Sequence, residues 1–125
     1  MKKTLKMFVA TALVALTWTS AAHAGSKVLA SAPAPLTGSQ TMYCDVTNID
    51  PVNPKDVTTE IVDINNNTVT GPTTATIAPN SGGFLGSAAP AAAWCRFTVT
   101  GSTKNLRAIA VYDNGTGYTM SLPAY

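Results

Sequence analysis

Two short apolar runs, each carrying one of the two cysteines of the chain, limit the possible folds more than any other feature. They are MYCDV at residues 42–46 and AWCRFTV at residues 93–99. In each run the residues alternate, so that the cysteine shares one side with its apolar second neighbours, which is typical of a strand with one buried face. The pattern therefore predicts an early and a late strand that direct Cys44 and Cys95 towards the interior.

The N-terminal residues indicate export. Three lysines among the first six residues precede an apolar stretch at residues 7–16, and Ala-His-Ala at 22–24 matches the small-x-small pattern of a cleavage site. The apolar stretch is shorter than the ~20 residues of a membrane-spanning helix. We therefore expect residues 1–24 to be a signal peptide and residues 25–125 to form one domain in the periplasm or outside the cell.

An exported chain with two cysteines is expected to form one disulfide, because those compartments are oxidising. Two free thiols or an intermolecular bridge is the alternative. Closing a loop of roughly 50 residues between Cys44 and Cys95 would contribute on the order of 4 kcal/mol to stability. That is a large share of the roughly 5–15 kcal/mol that stabilises a typical domain.

Charge and histidine content argue against two classes of function. Without residues 1–24, five basic residues face six acidic ones, so the net charge is −1 and the basic surface of a nucleic-acid binder is missing. The single histidine, His23, lies in the predicted signal peptide, which removes the usual general base and the commonest metal ligand. We predict neither enzymatic activity nor a cofactor. The carboxylates of the first half of the domain are predicted to serve solubility on outward faces and loops: Asp45, Asp50, Asp56, Glu60 and Asp63.

Alternating runs separated by turn residues predict an all-β domain of about seven or eight short strands. The predicted strands are residues 27–31, 41–48, 57–64, 73–77, 84–87, 93–100, 106–112 and 118–122. The predicted turns are residues 65–67 and 79–83 and a type I′ hairpin at 113–115, while residues 88–93 are a loop or a helical turn. Residues 25–37, with their prolines, suit an edge strand or an extended N-terminal arm.

Three motifs carry a resemblance to small exported bacterial immunoglobulin-like proteins. They are C-x-V-x-N at 44–48, an extended run ending in D-x-N at 60–65, and W/Y-C-R-F at 94–97. The resemblance implies an Ig-like antiparallel β-sandwich in which the cysteine pair joins the two sheets. Unlike antibody domains, the chain has no tryptophan at the usual strand C position between the cysteines, and Trp94 stands directly before Cys95 instead. Since such proteins have no assigned activity, the resemblance implies no catalytic residues.

Asp63, Asn65 and Asn67 are a weak candidate for a metal site. Their spacing matches the first half of a calcium loop, but Thr68 stands where that loop needs glycine and Thr74 where it needs glutamate. A plain turn, in which these side chains bond nearby backbone, is the preferred interpretation. A calcium site pooled from loops at one end of the sandwich is left open.

The aromatic residues beside the cysteines are candidates for an interaction surface. Tyr43 and Trp94 should point outwards on opposite faces, and Trp94 with Arg96 has the composition of an interface hot spot. Alternatively, the Trp94 ring lies over its own sheet. Three further aromatics are predicted to lie in the core or at its margin: Phe84, Phe97 and Tyr112.

Two functions follow from these observations. The first is a non-catalytic, secreted or periplasmic structural or protein-interaction module, and self-association through its sheet edges or through the arm at residues 27–35 is a specific version of it. The second is a carbohydrate- or small-ligand-binding module, with or without calcium, that uses end loops and an exposed Trp94 or Tyr43.

Overall fold

The computed structural model describes residues 25–35, 40–88 and 92–125, and all regular secondary structure in them is β-strand. In chain order the strands are β1 Ser26–Ala30, β2 Ala34–Pro35, β3 Thr41–Asn48, β4 Lys55–Asp63, β5 Thr68–Ile77, β6 Ser81–Ala88, β7 Ala92–Thr100, β8 Leu106–Asp113 and β9 Tyr118–Pro123. The all-β prediction is confirmed. The predicted signal peptide, the end of the predicted arm at 36–37 and the middle of the predicted loop at 89–91 lie outside the described residues.

The strands form two antiparallel sheets. The first has the order β1–β7–β4–β5, with β2 also paired to β7, and the second has the order β6–β3–β8–β9. Within a sheet, only β4 with β5 and β8 with β9 are neighbours both in space and in sequence. All other pairings join distant parts of the chain.

The core lies between the two sheets and follows from the alternation along their central strands. Residues of β3 and β7 are buried at every second position, as the sequence pattern predicts. Phe97 and Tyr112 are fully buried and are the two largest such side chains among the described residues, so their core assignment is confirmed. Aliphatic residues of β4 and β8 complete the layer: Val57, Ile61, Leu106, Ala108 and Ala110.

A disulfide joins Cys44 of β3 to Cys95 of β7, with the two Cα atoms 5.6 Å apart. These strands are central in different sheets, so the bridge crosses the core and ties one sheet to the other. The predicted disulfide is confirmed, and the described residues contain no free cysteine.

The predicted turn at 79–83 is wrong in its second half. The chain turns at Pro79 and Asn80, where Asn80 has a φ of 52°, and β6 begins at Ser81. Gly82 pairs with Thr47 of β3, and a Cβ on Gly82 would lie 3.2 Å from the carbonyl oxygen of Val46. This glycine therefore permits close strand packing, which sequence alone does not distinguish from a turn.

The predicted hairpin at residues 113–115 is confirmed, since β8 and β9 pair antiparallel on either side of it, but its predicted type I′ turn is wrong. Such a turn needs positive φ at both central residues. Positive φ occurs instead at Gly115 (88°) and Gly117 (139°), and residues 114–117 form a longer loop. The Asn114 side chain accepts hydrogen bonds from the backbone N–H of Thr116, at 3.0 Å, and from its hydroxyl, at 2.7 Å. This local bonding favours the wider loop over the tight turn.

The strand pairing departs from that of antibody domains at the two ends of the chain. If the cysteine strands β3 and β7 stand for strands B and F, then β3–β6 and β7–β4 correspond to the B–E and F–C pairs of those domains. However, the N-terminal β1 pairs with β7, and β8, which follows β7, pairs with β3. The first and last parts of the chain have thus exchanged sheets relative to the antibody arrangement.

Candidate functional site

The residues predicted for an interaction surface do not form a single site. Tyr43 lies on the outer face of the second sheet, whereas Trp94 and Arg96 lie on the outer face of the first. The disulfide core separates these two faces. Each face therefore has to be assessed separately.

On the first sheet, the polar groups around Trp94 bond to their own sheet. The Arg96 Nε donates to Glu60 at 2.8 Å and its Nη2 donates to the other carboxylate oxygen at 3.0 Å. The Arg96 guanidinium lies 5.7 Å from the centre of the Trp94 ring, whose Nε1 donates to the Asp63 carbonyl at 3.2 Å. The Arg96 hydrogen bonds hold the pKa of Glu60 below its ordinary value. This geometry is that of a ring packed over its own sheet.

The Asp63–Asn67 segment is a hydrogen-bonded turn. One carboxylate oxygen of Asp63 accepts from the backbone N–H groups of Asn65 and Asn67, both at 2.8 Å, and the other accepts from the Asn67 amide at 3.1 Å. These bonds, those from Asn67 most of all, lower the pKa of Asp63. Asn66, between them, has a φ of 65°. Nowhere in the described ranges do three or more His, Cys, Asp or Glu residues cluster as metal ligands would.

A shallow depression of about 330 Å³ lies on the outer face of the second sheet. Strands β3, β6 and β8 supply the outward side chains and the glycine that line it: Asp45, Thr47, Gly82, Phe84, Arg107 and Ile109. Its volume is at the lower end of the range of small-molecule sites.

Phe84 lines this depression and packs against Tyr43, and these two rings are together called the aromatic wall. The rings of Tyr43 and Phe84 meet edge to face, with centroids 6.2 Å apart. Phe84 is 75% exposed, so its predicted place in the core or at its margin is wrong. The register explains the error: Phe84 is opposite Asp45, an outward position of β3, and its neighbours on β6 take the inward positions.

Gly86 allows the Tyr43 ring to lie against β6. Gly86 is directly opposite Tyr43, and a Cβ on it would come within 2.6 Å of two ring carbons. No contact that close is tolerated, so any side chain at position 86 would displace the ring. This glycine therefore helps to shape the aromatic wall.

Asp45 is the acidic residue that lines the depression. Its cross-strand neighbours are Phe84 on one side and Ile109 on the other, and both are apolar. Its half-buried carboxylate has no hydrogen-bond partner among the described residues, and burial raises its pKa. The sequence predicts that Asp45 serves solubility only, but a partly desolvated carboxylate without a partner in a depression is a candidate binding group.

Three of the four outer strands have features that oppose pairing with another chain. β1 is short and bonds to the C-terminal residues, since Ala30 and Tyr125 exchange backbone hydrogen bonds at 3.1 and 3.3 Å. β5 carries Pro72 and two register shifts against β4, as expected for a bulged edge. β9 carries Pro123 and one register shift against β8. Prolines and bulges are common devices that protect sheet edges.

The edge strand β6 has none of these features. It runs for 8 residues in unbroken register with β3 and contains neither proline nor a charged residue. It lies within residues 64–95, which carry no charged side chain at all. Among the described edges, β6 is thus the one open to a further strand.

Sequence reasoning found Tyr43 but missed Phe84, Asp45 and the β6 edge. The absence of charged residues from 64–95 could have predicted an unprotected edge, since charged side chains are a common protection of edge strands. The neighbours of Asp45 could not be predicted from the sequence, because they depend on which strands pair and in which register.

Comparison with known proteins gives no functional assignment: no protein-family model, no curated protein and no solved structure matches this chain. The part of the chain that the structure describes contains no helix long and apolar enough to cross a membrane. Functional inference therefore depends on the depression and the edge strand.

Proposed function

We propose that the protein is an exported, non-catalytic interaction module that associates with a second copy of itself through β6. The observation that carries this proposal is that the β6 edge is unprotected, whereas the other three outer strands are protected. Export agrees with the N-terminal sequence and with the Cys44–Cys95 disulfide. The absence of histidine from residues 25–125 favours binding over catalysis.

A second copy is a suitable partner for this edge. Two antiparallel β6 strands related by a twofold axis present the same groups to each other, which is the geometry of most homodimers. Because β6 is uncharged, the two edges would not repel each other. Pairing would join two four-stranded sheets into one continuous sheet through backbone hydrogen bonds.

The N-terminal arm is a less favoured route to self-association. In the structure β1 pairs along all five of its residues with β7 of its own chain. Adding this segment to a neighbour would first require those bonds to break. The β6 edge needs no such rearrangement.

A charge placed on β6 tests the proposal. We expect the purified, oxidised protein to dimerise in a concentration-dependent way, and Phe84→Lys to make it monomeric, since lysine on an edge strand opposes pairing. Ile64→Lys is the matched control, because Ile64 is also exposed (67%) but lies in a turn outside the sheets. Sedimentation velocity across the soluble concentration range measures both variants.

Two outcomes would reject the β6 dimer. One is a wild-type protein that stays monomeric at every concentration. The other is a dimer that survives Phe84→Lys as well as it survives Ile64→Lys. If a dimer dissociates only after residues 25–37 are deleted, the arm is the correct route.

A further inference from the structure

We propose that the depression around Asp45 on the outer face of the second sheet binds a single neutral sugar ring. This inference goes beyond self-association, because the depression lies on the face of the sheet whereas pairing uses the edge of β6. It rests on three features: a carboxylate without a partner, an aromatic wall, and a guanidinium on the same surface.

The Asp45 carboxylate is the hydrogen-bond acceptor of the site. Phe84 and Ile109 on either side keep protein donors away from it. A sugar ring carries neighbouring hydroxyl groups that can donate to both carboxylate oxygens. Such charge-assisted hydrogen bonds are stronger than neutral ones and would compensate for the partial loss of water around Asp45.

The aromatic wall provides an apolar contact for the ring. Phe84 is 75% exposed, and its edge-to-face contact with Tyr43 supports it on one side. An exposed aromatic ring held in this way offers a flat apolar surface at little entropic cost. The C–H face of a sugar ring is flat and apolar enough to pack on it, while the hydroxyl groups at its rim reach the polar residues.

Arg107 and Asp45 together favour a neutral ligand. Both line the depression, and the gap between them exceeds the reach of an ion pair. One Arg107 nitrogen donates to the carbonyl of Leu106 at 2.9 Å, so the remaining N–H groups can donate to ligand oxygens. A cation would be attracted by Asp45 but repelled by Arg107, and an anion the reverse, so the two contributions oppose each other for a ligand with a single charge. A neutral polyol can use both groups.

The binding test is an NMR titration of the ¹⁵N-labelled, oxidised protein. The probes are glucose, galactose, mannose, N-acetylglucosamine, cellobiose and maltose, each at millimolar concentration, with choline as the cationic control and glycine as the zwitterionic one. We expect at least one sugar to shift the amide signals of Asp45, Phe84 and Ile109. Neither control compound should shift them.

Variants assign the binding to the depression. We expect Asp45→Asn to weaken the binding by about tenfold or more, the size expected for one charge-assisted hydrogen bond. Phe84→Ala should weaken it several-fold, whereas Ile64→Ala, which also removes an exposed apolar side chain, should not change it. Because Asp45 is not on an edge strand, Asp45→Asn should leave the dimer intact, which separates this test from that of the β6 pairing.

Several results would overturn the sugar site. They are the absence of a response to all six sugars, shifts confined to residues elsewhere, and equal binding by the wild type, Asp45→Asn and Phe84→Ala. Tighter binding of choline or glycine than of any sugar would also overturn it, since it would mean that the depression selects a charged ligand.

Discussion

The buried amide of Asn48 connects three segments at one end of the sandwich. Its Nδ2 donates to the carbonyls of Asn53, Ile77 and Ala78 at 2.9, 3.1 and 3.3 Å, and its Oδ1 accepts from the backbone N–H of Asp50 at 3.0 Å. Asn48 has no exposed surface. Each of its partners would lose a hydrogen bond if the amide were removed.

We expect Asn48→Ala to lower the free energy of unfolding by about 2–3 kcal/mol, because it leaves buried backbone groups without partners. Urea unfolding followed by circular dichroism measures this change. The control is Asn65→Ala in the exposed turn, which should stay within about 0.5 kcal/mol of the wild type. Similar losses for the two variants would show that the buried network contributes little.

At the same end of the sandwich, hydrogen bonds from neighbouring N–H groups stabilise the ionised form of Asp50. It accepts from the backbone N–H groups of Asn53 and Val52 at 2.9 and 3.0 Å and from the Asn105 amide at 3.2 Å. These bonds, that of Asn53 most of all, hold the pKa of Asp50 far below its ordinary value. The folded state therefore binds a proton at Asp50 less readily than the unfolded chain does.

This difference predicts how stability changes with pH. A lowered pKa in the folded state contributes stability above the unfolded value, about 3.9 for aspartate, and that stability is lost as the pH falls below it. We expect the free energy of unfolding to decrease below pH ~4 and Asp50→Asn to make that decrease shallower. Urea unfolding at a series of acidic pH values tests this, and an unchanged slope in the variant would contradict it.

At the scale of the elements, strands with one buried face were predictable and edge strands were less so. β3 was predicted with its observed ends, and β7 within one residue, because their alternation is set by core burial. β5 and β6 were predicted too short, since β5 is mostly exposed and β6 is rich in glycine, so neither shows a clear period of two. For the residues around each cysteine, the inward or outward direction of the side chains was therefore predicted correctly.

The candidate site was only partly predictable for a related reason. Tyr43 was expected to point outwards, because its neighbour Cys44 points inwards. The grouping of Asp45 with Phe84 and Ile109 needs the β6–β3–β8 order and its register, which arise from contacts between distant segments. A pattern of local alternation contains no information about such pairing.

At the scale of the whole molecule, the disulfide is the one covalent cross-link between the sheets apart from the backbone itself. Cys44 and Cys95 are separated by 51 residues, so the bridge restricts the unfolded chain strongly. We expect replacement of both cysteines by alanine to lower the free energy of unfolding by about 2–4 kcal/mol. Guanidinium unfolding of the oxidised protein and of the double variant measures the loss. Equal stability would show that the core alone holds the sheets together.

The exchanged positions of the first and last strands also affect how a chain growing on the ribosome could fold. β1 pairs only with β7, and β3 needs β6 on one side and β8 on the other, so the early segments gain their full set of neighbours only when nearly the whole domain has been synthesised. Only the β4–β5 hairpin can form from adjacent residues at an intermediate stage. Architectures with so many non-local pairings fold on times of the order of milliseconds to seconds. Neither layer can therefore close during most of translation, and the export that we propose would meet a nascent polypeptide that is still unfolded.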